Sequence, residues 1–270
     1  MKIPTDWKDY TLLDCSDGER LENWGGTVIV RPDPQVIWKQ DKSFADPSQL
    51  RYIRSDKGGG FWQGAKFEKV ITYKKNKFLV KPTDFKHMGL FPEQAVNWDF
   101  ISDKVHGKTV LNLFAYTGAM SIVCASGGGK VTHVDSSRGI VAWAKKNATL
   151  NGITNIRWIV DDCVKFVKRE LRRGSRYDVI IMDPPSFGHG NNGEVWKFED
   201  NFYDFLVLCR ELCPEIVVVS TYTTGISHSC IGTCVEKVFG GEVVSDEIGL
   251  PIVSGGVLAC GNVTYRLAER

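Results

Sequence analysis

The residues of this chain best suited to chemistry sit in four turns between positions 109 and 187. One apolar run ends in a glycine turn, Thr109-Val-Leu-Asn-Leu-Phe-Ala-Tyr-Thr-Gly-Ala-Met-Ser121. A second run ends in Asp135, a third in Asp161-Asp162, and a fourth in Asp183-Pro184-Pro185-Ser186-Phe187. Strands that alternate with helices build a parallel sheet, and the ligand of such a sheet lies outside the carboxyl ends of its strands, where all four turns fall.

The first turn has one glycine, Gly118, and lacks the G-x-G-x-x-G that lets backbone approach a dinucleotide pyrophosphate, which argues against a nicotinamide oxidoreductase. S-adenosylmethionine carries no phosphate. It requires only a sharp bend that leaves backbone groups free for its amino-acid part, with Phe114 and Tyr116 shaping the walls, although any βα turn would read alike in isolation. Asp135 stands 17 residues after Gly118, close to the offset at which an acid accepts from ribose hydroxyls. Its alternative is a cap on the helix starting near Ser137. Asp162 could receive an adenine amino group or cap the helix it opens, and Asp161 competes for the same contact.

Two prolines directly after a strand cannot continue its ladder, so Pro184 and Pro185 stiffen the loop that projects from the strand end. A rigid loop would hold Asp183 and nearby carbonyls beside a transferable methyl group, whose main demand is in-line approach of the nucleophile. A purely structural turn is the alternative.

The elements that must position these residues follow from periodicity. Residues 1–90 read as short strands at 10–13, 27–31, 69–73 and 77–81, separated by Gly and Pro punctuation that includes Gly58-Gly59-Gly60. They predict a small β-rich or α+β domain with its boundary between Gly89 and Pro92. A helix with proline in its first turn follows over 92–101. Residues 91–270 then alternate: strands at 109–113, 130–134, 156–160, 177–182 and 216–220, with helices at 118–126, 137–151, 163–173, 201–212 and 227–239 between or after them. Strands at 242–248 and 257–267 close the chain as an antiparallel hairpin at the sheet edge. The expected class is α/β: a doubly wound, Rossmann-like sheet of seven strands with a small N-terminal accessory domain.

Composition is that of an ordinary globular chain of 270 residues with a formal net charge of +2. No apolar run reaches the roughly 20 residues of a membrane span and the N-terminus lacks a secretory signal, so a cytoplasmic location is the default expectation. None of the eight cysteines forms a Cys-x-x-Cys pair. Cys209 with Cys213 and Cys230 with Cys234 have helical i, i+4 spacing, but further ligands are missing, and reduced thiols without metal are expected. Residues 39–86 hold 12 Lys/Arg against 5 Asp/Glu and interleave Tyr52, Phe61, Trp62, Phe67, Tyr73 and Phe78. Such a stretch can track phosphates and stack bases, which makes RNA the expected partner; a solvated strand face with its aromatics turned inward is the alternative.

The segments LNLFAYTGAMS, THVDSSRGIVAWAKKNATLNGI, RWIVDDCVKFVKRELRRG and YDVIIMDPPSFG together resemble the class I S-adenosylmethionine-dependent methyltransferases of the bacterial 23S rRNA methyltransferase group. The likeness is to a branch whose fourth motif runs on into a segment like Gly188-His-Gly-Asn-Asn-Gly-Glu-Val-Trp196, preceded by one like Phe85-Lys-His-Met-Gly-Leu-Phe-Pro-Glu-Gln94. It is strong over residues 85–267 and weaker before them. The resemblance implies an S-adenosylmethionine cofactor held by Phe91, Gln94, Phe114, Thr117, Gly118, Asp135, Asp162 and Asp183. The motif neighbours Asn112, Ala115, Tyr116, Ser136, Asp161 and Cys163 are grouped with them.

Members of that group that methylate C5 of cytosine use a cysteine near the segment after the fifth strand, because C5 becomes nucleophilic only once a thiolate has added at C6. Here that segment reads Val219-Ser-Thr-Tyr-Thr-Thr-Gly225. The expectation is methylation of a nitrogen or oxygen without a covalent cysteine step. Asp183, Pro184, Pro185, Phe187 and Tyr222 form the candidate catalytic set, with His189 a weaker proton acceptor. A protein or small-molecule methyltransferase, or a non-catalytic RNA-binding protein on the same fold, are the alternatives.

Overall fold

The computed structural model describes residues 1–40, 44, 46, 49–55, 59–189, 193 and 195–268. The chain forms two units, residues 1–96 with 248–260, and residues 97–247 with 261–270. The division thus falls a few residues beyond the Gly89 to Pro92 boundary read from sequence, and the tip of the last two strands belongs with the first unit.

The first unit holds a five-stranded sheet, β1 (Tyr10–Ser16), β2 (Glu19–Trp24), β3 (Thr27–Pro32), β4 (Leu50–Arg54) and β5 (Gly60–Gln63), and a separate hairpin, β6 (Lys69–Tyr73) with β7 (Asn76–Val80). β2 is absent from the sequence reading for a physical reason. Its buried face carries Arg20, Glu22 and Trp24, so charge occupies the positions where apolar residues mark a strand. Glu22 accepts from the Tyr10 hydroxyl at 2.7 Å and from Arg31 Nη2 at 2.8 Å, while Arg20 lies 3.6 Å from it and 3.5 Å from Asp33. Burial disfavours the charged carboxylate, but Arg20 and Arg31 outweigh it and hold Glu22 down at about 2. β4 and β5 were also unread, the latter because it begins within the glycine run, of which Gly58 is outside the described residues. The predicted helix after Pro92 resolves into a 3-10 turn, Pro92–Gln94, and α1 (Ala95–Ser102).

The second unit is built on a seven-stranded sheet. Its strands are β8 (Thr109–Leu113), β9 (Lys130–Asp135), β10 (Arg157–Val160), β11 (Val179–Met182), β14 (Ile216–Thr221), β15 (Glu242–Pro251) and β16 (Val257–Leu267), in the order β10-β9-β8-β11-β14-β16-β15. The first five run parallel and β16 is antiparallel to β14, as the alternation predicts. A short hairpin, β12 (Phe187–His189) with β13 (Val195–Lys197), follows β11. The helices are α2 (Ala119–Ser126), α3 (Arg138–Leu150), α4 (Cys163–Arg172), α5 (Phe198–Arg210) and α6 (His228–Phe239).

β11 and the first residues of β14 read as unbroken apolar runs because helices cover both faces of the sheet. Phe166 and Val167 of α4 and Phe202, Phe205 and Leu206 of α5 join Ile180, Met182 and Val217 in one core, each such side chain adding roughly 1.5–3 kcal/mol. The strand order reverses at β8, with β9 on one side and β11 on the other, which puts the ligand crevice above the ends of these three strands.

Candidate cofactor cleft

β8 leads into a turn with three left-handed residues, Phe114 at φ 54°, Tyr116 at φ 49° and Gly118 at φ 83°. Only glycine adopts this conformation without cost, so the two aromatic residues must be held there by their surroundings. The holding contacts come from β9 and from helices α3 and α4. The Phe114 amide donates to Cys163 Sγ at 3.2 Å, the Ala115 amide to the Val134 carbonyl at 3.0 Å, and the Tyr116 amide to Asp135 Oδ2 at 2.9 Å. Asn147 Nδ2 donates to the Thr117 carbonyl at 2.9 Å. A Cβ on Gly118 would lie 2.9 Å from Ala144 Cβ of α3, so glycine is required there by space as well as by φ.

Beneath the turn Asn112 Nδ2 donates to Ser121 Oγ at 2.9 Å, and Ser121 Oγ meets His133 Nδ1 at 3.0 Å. Burial pushes the His133 ring down to about 3, so it stays neutral and serves the turn as a support. Asn112 and Cys163 are therefore placed below the turn as struts. Burial also drives the Cys163 thiol well above its ordinary range, which keeps it protonated.

Asp135 is not the cap of α3, because Ser137 Oγ accepts the Ile140 amide at 3.4 Å in that role. Its carboxylate takes the amides of Tyr116 and Ser137, one on each oxygen. Burial raises its pKa while these two amides oppose the shift. Each oxygen keeps a lone pair that a ribose hydroxyl could use. Asp162 does cap its helix, accepting the Lys165 amide at 2.9 Å, and it also lines the cleft, so its two readings are compatible. Asp161 turns instead to Arg169, at 2.6 Å.

A cleft of about 440 Å³ opens beside this turn, lined by Phe114, Ser136 and Asp162 on one side and by Pro185, Trp196 and Phe205 on the other. Phe114, Trp196 and Phe205 form an aromatic cluster with ring centroids 5.3 to 5.7 Å apart. Trp196 and Phe205 were missed as site residues. Trp196 lies in a glycine-rich segment that shows no strand periodicity, and Phe205 occupies an ordinary core position of α5. Of that segment, residues 190–192 and 194 are outside the described residues, as is the side chain of His189.

The Asp-Pro-Pro loop leaves β11 with the Asp183 amide 3.4 Å from the Leu113 carbonyl. Pro184 is buried, and Phe187 is exposed. Ser186 Oγ bonds Thr223 Oγ1 at 2.9 Å, tying the loop to the segment after β14. In that segment the half-buried Tyr222 packs so closely on Gly261 that a Cβ there would lie 2.8 Å from its ring. Phe91 and Gln94 belong to the first unit, around the 3-10 turn, with the Gln94 amide donating to the Phe91 carbonyl at 3.1 Å.

An aromatic wall with an adjacent carboxylate acceptor and hydroxyl suits an adenosine, and a turn that lacks the glycine-rich phosphate-binding pattern suits S-adenosylmethionine. Cys209 is buried in α5 while Cys213 lies beyond its end, so these two share no helix face, and no group of metal-ligating side chains is found among the described residues. In the basic stretch Tyr52, Trp62, Tyr73 and Phe78 turn into the core, leaving Phe61 exposed and Phe67 half-exposed beside the cations. No helix among the described residues is long and apolar enough to cross a membrane.

The profile of a family described as S-adenosylmethionine-dependent methyltransferase matches residues 41–238. A crystal structure of a SAM-dependent methyltransferase from Agrobacterium tumefaciens superposes with a TM-score of 0.92 at 33% identity, covering 99% of this chain and 93% of that one. A ribosomal RNA large subunit methyltransferase K of Neisseria meningitidis serogroup B is 31% identical over 189 residues, 64% of this chain and 53% of that protein. The large subunit methyltransferase K/L of Shewanella frigidimarina is 39% identical over 134 residues, 48% of this chain and 18% of that protein. The chain thus spans from under a fifth to about half of the length of these curated relatives.

Proposed function

We propose that this chain, which belongs to the S-adenosylmethionine-dependent methyltransferase family, methylates a nitrogen or oxygen of RNA in the large ribosomal subunit, without a covalent cysteine step. S-adenosylmethionine, its cofactor, supplies when bound an electrophilic methyl group on a sulfonium.

In this reading Asp135 accepts the ribose hydroxyls, Asp162 and Ser136 take the polar edge of the adenine, and Phe114 supports its face. Asp183, on a loop stiffened by Pro184 and Pro185, orients the acceptor and receives its proton, while Tyr222 and Phe187 flank the entering base. The observation that carries the reading is the attachment of the Asp-Pro-Pro loop, through Pro185 and Trp196, to the wall of the aromatic cleft. Such attachment supplies the fixed geometry that methyl transfer needs. The RNA target is supported by the ribosomal RNA methyltransferases among the relatives and by the excess of Lys and Arg in the sequence of residues 39–86.

The deciding measurement is transfer of labelled methyl from the cofactor to unmodified large-subunit RNA, followed by mass spectrometry of the nucleosides. Label appearing only in protein or in small molecules would reject RNA as the substrate. Label at C5 of a pyrimidine would reject the non-covalent route.

A further inference from the structure

Helix α4 carries a second basic surface that the charge count along the sequence does not single out. Residues 163–176 hold six Lys/Arg and one acid, Glu170. Within α4, Lys165, Lys168, Arg169 and Arg172 recur at intervals of three and four, which places them along one stripe, and Arg173 and Arg176 follow at and just beyond its C-terminal end. The opposite face buries Cys163, Phe166, Val167 and Glu170.

Helix stability does not explain the stripe. Arg169 and Arg172 in the last turn complement the helix dipole, but Lys165 stands in the first turn, where a cation opposes it. Internal ion pairs do not explain it either. Glu170 engages Arg157 at 3.2 Å and Arg173 at 2.9 Å, and Asp161 engages Arg169. Lys168, Arg172 and Arg176 are exposed and pair with no carboxylate among the described residues. The stripe is also continuous with the site, because Lys165 and Lys168 line the cofactor cleft.

We propose that the outer face of α4, continued by the segment that carries Arg173 and Arg176, is a phosphate-binding track that lays the RNA backbone across the second unit up to the mouth of the cleft. The inference rests on RNA being the substrate. Exposed guanidinium and ammonium groups in a row contact successive phosphates and release their counterions, which gives binding that depends on salt and tolerates sequence.

The test compares the full chain with Arg172→Gln/Arg176→Gln, two positions outside the cleft, on an unmodified transcript of large-subunit ribosomal RNA. The double variant should bind more weakly, and the slope of log affinity against log salt should fall by about one unit per lost contact, or about two in all. Cofactor affinity and melting temperature should be unchanged, and Arg172→Lys/Arg176→Lys should restore the slope. Wild-type binding with the same slope in both proteins would overturn the track and leave the RNA substrate standing. Absence of salt-dependent RNA binding by the wild type would overturn both.

Discussion

The indole nitrogen of Trp196 donates to the carbonyl of Pro185 at 2.6 Å, joining the β12–β13 hairpin to the Asp-Pro-Pro loop. The Trp196 ring meanwhile packs against Phe114, its centroid 5.3 Å away, in the cleft wall. One side chain thus touches both the aromatic cleft and the loop proposed to face the acceptor. Trp196→Phe keeps an aromatic wall and removes the donor. It should lower kcat by about 3–10-fold, the worth of one net hydrogen bond, with little change in cofactor affinity. Trp196→Ala should lose affinity as well. Single-turnover kinetics with calorimetry separate the two effects, and equal cofactor losses in both variants would reduce Trp196 to a wall residue.

Asp183→Ala should cut turnover far more than cofactor affinity, since an interaction with the acceptor is strongest in the transition state. Turnover and cofactor titration on the same preparation provide the check. If both fall by the same factor, Asp183 serves the cofactor and the acceptor is oriented by other groups.

The sheet was legible because its central strands β8, β11 and β14 are almost wholly buried and its helices carry punctuation. Gly152 and Gly174, both left-handed, follow the ends of α3 and α4 where the sequence places them. β2 was illegible because Arg20 and Glu22 face inward, and hydropathy registers a buried ion pair as surface. Asp135 and Asp162 could be located but not assigned from sequence, since a cap and a ligand acceptor have the same signature. The distinction came from Ser137, which caps α3 and leaves Asp135 to the turn. Trp196 needed tertiary information, because the cleft it walls is made by a hairpin with only three residues per strand.

Asp135→Ala removes the carboxylate proposed to accept the ribose hydroxyls and also the partner of the Tyr116 amide. Cofactor binding should weaken by about 1–3 kcal/mol, measured by calorimetry. Because burial raises the Asp135 pKa, affinity in the wild type should decline on acidification earlier than an ordinary aspartate would allow, as the carboxylate takes up a proton. Asp135→Asn should bind weakly at every pH. A wild-type affinity that is flat down to pH 4 would remove the carboxylate from the binding site.

Gly118→Ala introduces a Cβ at φ 83° and 2.9 Å from Ala144 Cβ. Strain and overlap together should cost about 1–3 kcal/mol and displace the turn from α3. A lower melting temperature with weakened cofactor binding is expected. Adding Ala144→Gly should recover part of both, because it removes the atom that is struck but not the strain in φ.

Glu22 makes the acid stability of the first unit testable. Its usual value near 4.5 is lowered to about 2: burial opposes the charge, but Arg20 and Arg31 outweigh it. A carboxylate depressed in the folded state contributes stability that is present above its unfolded value and is lost as pH falls toward the folded one. Opening of β2 and β3 should therefore become easier between about pH 4.5 and pH 2. Hydrogen exchange of peptides covering residues 19–32, followed by mass spectrometry, reads this locally in the full chain. Glu22→Gln leaves Arg31 buried without its carboxylate, so exchange should already be faster at neutral pH, by about 3–5 kcal/mol in opening free energy, and should lose this part of its acid dependence. Unchanged neutral protection in the variant would show that the tyrosine and the two arginines hold the sheet without the charge.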